Sequence, residues 1–128
     1  MADRDIMEAI MSVNPANVRL VFIDDFTDRD MFEAYSRGCL SHVMVELNGK
    51  ELYAISFYDI GRLGQDLEES AKHGRPFVAD AGMIVLPEIT MATMEGAVRQ
   101  LAKGGFFQYL VPIDKERLAK ADPYQWPP

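Results

Sequence analysis

Apolar residues recur along this chain with two periods, and the switches between those periods mark its elements. Over residues 3–12, Ile6, Met7, Ile10 and Met11 fall at helical spacing, with Asp3 and Asp5 near the positive end of the dipole. Asn14-Pro15 stops that pattern, because proline cannot donate the next helical hydrogen bond. Val18 to Ile23 is β-branched and aromatic and too short for a helix, which predicts a buried strand. Thr27 then offers a side-chain oxygen to the free amides of a second helix, with Asp28 and Asp30 in its first turn. Met31, Phe32 and Tyr35 are the expected apolar side of that helix, and Gly38 its left-handed terminator.

The period then changes to two. His42–Leu47 and Lys50–Tyr58 flank Asn48-Gly49, the strongest hairpin signal in the sequence. A two-residue loop sets Glu46 opposite Glu51, a like-charge pair. A three-residue loop with Gly49 left-handed sets Glu46 opposite Lys50, and this is the expected register. Alternation gathers Val43, Val45, Tyr53, Ile55 and Phe57 on one face and leaves His42, Met44, Glu46, Leu52 and Ala54 on the other.

Helical spacing returns after Asp59, a capping residue, with Ile60, Leu63, Leu67 and Ala71 as the predicted core stripe and Gly74 at its end. Met83 to Leu86 is a short apolar strand. Thr90 caps a helix that turns Met91, Met94, Val98 and Leu101 inward, and Gly104-Gly105 stops it. Phe106 to Val111 is expected to be a last strand, and Asp114 to Ala121 a short charged helix. The alternation of strands and helices after Tyr53 calls for parallel crossovers, whereas the hairpin is antiparallel. The expected fold is therefore α+β, a single domain over residues 1–121 with a mixed sheet of about five strands and amphipathic helices mainly on one face. Residues 122–128 form a proline-rich tail.

Composition narrows the function. The chain has 128 residues, of which 48% are hydrophobic and 26% charged, a balance that builds one core and disfavours disorder along the body. A single cysteine, Cys39, permits no internal disulfide, and eight methionines suit a reducing compartment, so the expected location is cytoplasmic. The acidic start lacks the pattern of a signal peptide, and no apolar run approaches the length that spans a bilayer. The net charge of -7 disfavours duplex nucleic acid and anionic membranes as partners. That charge is unevenly placed: residues 1–69 hold 14 acids against 6 bases, residues 70–128 hold 6 against 7.

Candidate chemistry is sparse. Gly61-Arg62-Leu63-Gly64 and Lys103-Gly104-Gly105 both lack the spacing of a nucleotide loop. Cys39 and His42 stand three apart, but His73 is the only other histidine and no second cysteine completes a zinc set, so no catalytic set, metal or cofactor is assigned. Asp24, Asp25, Asp28, Asp30 and Glu33 form the densest acidic run, suited to a basic protein partner, to a cation or simply to solvent. His42, Tyr58, Asp59 and Arg62 sit at strand ends, where sheets often expose ligand-binding groups. Three readings follow. The first is a non-catalytic binding protein of inhibitor or immunity type; the second is a small enzyme or ligand-binding domain with a pocket at the strand ends. In the third, a self-associating protein, Phe106-Phe107 or Tyr124 and Trp126 line a homodimer contact.

Overall fold

The computed structural model describes residues 17–22 and 25–114. Along them run β1 (Val18–Phe22), α1 (Asp28–Arg37), β2 (Cys39–Leu47), β3 (Glu51–Asp59), α2 (Ile60–Lys72), β4 (Met83–Leu86) and α3 (Met91–Lys103), followed by a 3-10 turn at Phe106–Tyr109. The strands lie in the order β1-β2-β3-β4. β1, β2 and β3 pair antiparallel, whereas β4 is parallel to β3, so the sheet is mixed. α2 supplies the long crossover that a parallel pair requires. The helices predicted at residues 3–12 and beyond Asp114, together with Ile23, Asp24 and the tail, lie outside the described residues. Among the described residues no helix is long and apolar enough to cross a membrane.

One face of the sheet carries the core. Val18, Val43, Val45, Leu47, Tyr53, Ile55 and Phe57 point to it, joined by Ile84 and Leu86 of β4. Ala34 of α1 and Met94, Val98 and Ala102 of α3 pack onto that face, so two of the three α-helices among the described residues lie there. Complete burial of an aliphatic or aromatic side chain contributes about 1.5–3 kcal/mol, which makes this layer the main source of stability.

Three expectations are corrected. In the hairpin the expected three-residue loop with Gly49 left-handed is present, but it sets Leu47 opposite Glu51 and Glu46 opposite Leu52, so Glu46 does not face Lys50. Both Asn48 (φ 54°) and Gly49 (φ 69°) are left-handed, and the Lys50 amide donates to the Leu47 carbonyl at 3.0 Å. The alternation is intact, so the two faces are as predicted, and Glu46 finds Arg19 of β1 at 2.9 Å. At Phe106 the chain forms no fifth strand. Gly105, at φ 77°, turns it beneath α3, and Phe107 is drawn into the core against Tyr53. With Phe107 only 1% exposed, it cannot line the homodimer contact considered for it. Finally, α2 buries none of its residues: Ile60 is 72% and Leu67 42% exposed.

Candidate functional site: an acidic cleft between α1 and β2

The site begins with a break in β2. Leu40 stands opposite Phe57 and Val43 opposite Ile55, so Ser41 and His42 together face the single residue Ser56. This is a β-bulge, which bends a strand and re-aims its side chains. His42 takes the left-handed conformation, φ 66°, which histidine tolerates better than most non-glycine residues. Both Ser41 and His42 are thereby exposed at the rim of a cleft of about 360 Å³.

α1 forms the opposite wall. Thr27 accepts from the Asp30 amide at 3.2 Å, and the Asp30 carboxylate receives the Thr27 amide and hydroxyl, both at 2.9 Å. This reciprocal cap satisfies free donors at the helix start. With the start fixed, Ala34 packs against the sheet, and Asp30, Glu33 and Arg37 line the cleft. Asp25 and Phe26 close it from the β1–α1 connection, where the Phe26 ring stacks on Phe22 at 4.2 Å.

The acidic run is thus divided. Asp25, Asp30 and Glu33 reach the cleft, Asp28 is exposed in the first turn of α1, and Asp24 lies outside the described residues. Asp30 is engaged by its own helix; the Thr27 amide and hydroxyl hold its carboxyl below the usual aspartate range. Glu33 shares its charge with Arg29 at 3.4 Å in an exposed pair. The spacing that predicted Phe32 and Tyr35 as the inward side of α1 misplaced them. Ala34 is the buried residue, Met31 is partly covered, and Phe32 (68%) and Tyr35 (50%) face solvent beside Asp28.

His42 does not join Tyr58, Asp59 and Arg62 in one pocket. Those three residues sit at the β3–α2 junction. Asp59 caps α2 by accepting the Arg62 amide at 2.8 Å, and the Arg62 guanidinium donates to Asp66 at 3.0 Å, the first cause of its raised pKa. Tyr58 stands opposite Cys39; burial first, then the charges of Asp66, Cys39 and Asp80, push its hydroxyl up, with Arg62 acting against them. Cys39 also lines the cleft, so it is the point where the two groups adjoin. Gly38 makes this possible: its carbonyl accepts from the Asp59 amide at 2.8 Å, and a Cβ there would stand 2.5 Å from the Asp59 carboxylate.

Three contributors to the cleft were not singled out from the sequence. The Phe22–Phe26 stack spans a strand end and a loop, so no period reveals it; Arg37 and Ser41 have ordinary local contexts. Among the described residues no three of His, Cys, Asp and Glu are gathered to hold a metal ion. Chemically, the cleft sets the Asp25 and Glu33 carboxylates beside the Phe22 and Phe26 rings, with Arg37 also in its lining, and the carboxylates and rings suit a cation with an apolar stem. No family model, curated protein or solved structure matches this chain.

Proposed function

We propose that the protein is a small non-catalytic binding protein, of inhibitor or immunity type, that presents α1 and the adjoining cleft to a basic protein partner. The observation that carries this reading is the surface of α1, where Phe32 and Tyr35 are exposed on a helix whose other side lends Glu33 to the cleft. Exposed aromatics beside acids are the composition of a recognition surface, in which a few rings supply most of the binding energy and charges steer the approach. A lysine or arginine side chain would lay its methylenes along Phe26 and Leu40 and bring its charge to Asp25 and Glu33. Such a role in the cytoplasm fits the single cysteine and the eight methionines.

The test is an NMR titration with N-acetyl-arginine amide and its neutral isostere, N-acetyl-citrulline amide. The arginine probe is expected to shift the amides of Asp25, Phe26, Glu33, Ser41 and His42 at millimolar affinity, to weaken with salt, and to lose its effect in the Asp25→Asn/Glu33→Gln variant. No response, or one that the variant leaves unchanged, overturns the reading. Equal response to both probes favours a second reading, a small-molecule pocket, which rests on His42 being held left-handed within the cleft.

A further inference from the structure

Among the described residues the sheet ends at β1, which pairs there with β2 alone, and an edge strand offers the amides and carbonyls of every second residue for further pairing. That edge opens onto a groove of about 310 Å³ against α3, with Leu20, Phe22 and Arg19, the last held by Glu46, on the strand side and Met91, Glu95 and Arg99 on the helix side. Glu95 precedes Arg99 by four residues, the spacing and order that ordinarily close an ion pair along a helix. Arg29 with Glu33 and Arg62 with Asp66 do close at that spacing, yet among the described residues Glu95 and Arg99 form no ion pair with each other or with a third group.

We propose that this edge pairs with the same edge of a second copy of the chain, β1 against β1 in antiparallel array about a two-fold axis through Leu20. The symmetry sets Leu20 against its own mate and Val18 against Phe22 of the second copy, so the apolar residues of the strand meet one another. With that axis also passing beside Ala97 of α3, Glu95 of one copy would meet Arg99 of the other, twice, as an isologous contact requires. The charge pattern favours this occupant over a partner of a single charge sign. A purely acidic or purely basic partner would set one of the two side chains against its own sign, whereas a second copy satisfies both. The proposal is independent of the cleft acids, and its test leaves Asp25 and Glu33 untouched.

The experiment is sedimentation equilibrium of the full chain from micromolar to millimolar concentration, with circular dichroism confirming the fold of each variant. The wild type is expected at twice the 14.4 kDa chain mass. Glu95→Arg and Arg99→Glu each place like charges across the axis and should weaken the dimer by about tenfold or more. The double swap Glu95→Arg/Arg99→Glu recreates opposite charges and should restore it. Outer-edge β1 amides should exchange more slowly as concentration rises. A wild type that stays monomeric at millimolar concentration, a dimer indifferent to both single swaps, or a folded double swap that remains monomeric overturns the proposal.

Discussion

α2 and α3 are alike in almost everything that a sequence displays and opposite in what they bury. Each has thirteen residues, each begins at a residue whose side-chain oxygen accepts the amide three positions on, and each carries a lysine in its last turn. Each also has apolar residues at helical spacing. Yet α3 buries Met94, Val98 and Ala102, whereas α2 buries nothing. The difference lies in what the topology sets beneath them. α3 lies across the face to which Val18, Val45 and Phe57 point, while α2 leaves β3 at its end as a crossover and leans chiefly on that one strand. An apolar stripe therefore states which side of a helix would be buried, and the path of the chain decides whether it is.

The largest effect expected from this contrast comes from trimming equivalent side chains. Met94 is wholly buried, and Met94→Ala leaves a cavity that should cost about 2–5 kcal/mol in denaturant unfolding. Leu67→Ala in α2 should cost less than about 0.5 kcal/mol, as substitutions at exposed sites do. Similar losses at the two positions would mean that the α2 stripe is covered in solution, and the contrast would collapse.

With no burial to hold it, α2 depends on its start, which gives the second prediction. Gly38 has φ 73°, and a side chain there must also displace the Asp59 carboxylate that caps α2. Gly38→Ala should cost about 2 kcal/mol, roughly half from the left-handed backbone and half from the lost cap. Hydrogen exchange should locate the damage in the first turn of α2, with α3 unaffected. Equal loosening of α3 would show that the two helices unfold as one unit.

The parts of this fold that can be read from the sequence are those decided locally. Thr27, Asp59 and Thr90 cap helices because a short oxygen-bearing side chain reaches the third amide whatever lies beyond. Asn48-Gly49 marks the hairpin, and the period of two assigns its faces. What is hidden depends on distant contacts. α1 rotated to bring the small Ala34 against the sheet, which left Phe32 and Tyr35 outside. Of the cleft, the acids were visible as composition, but Thr27 engages Asp30, Arg29 engages Glu33, and the bulge at His42 that shapes the rim has no local signature.

The smallest effect expected is an alkaline one, and it separates the two sides of the sheet. Tyr53 lies on the core side, its ring 5.6 Å from Phe107 and its hydroxyl donating to Glu51 at 2.5 Å. Burial first, then that hydrogen bond and the negative charge of Glu51, push the hydroxyl up to about 12. Tyr58, on the α2 side, is also raised chiefly by burial, but there Arg62 opposes the shift. In both cases the folded chain keeps a proton that the unfolded chain loses at about pH 10. Stability is then complete below pH 10 and falls as pH rises from about 10 towards the higher folded values. Because Tyr53 has no cation working against its shift, Tyr53→Phe should remove more of this alkaline loss than Tyr58→Phe, as read from denaturation midpoints between about pH 9 and 12. If Tyr58→Phe removes the larger share, the α2 side is the more deeply desolvated of the two, and the asymmetry drawn between α2 and α3 is reversed.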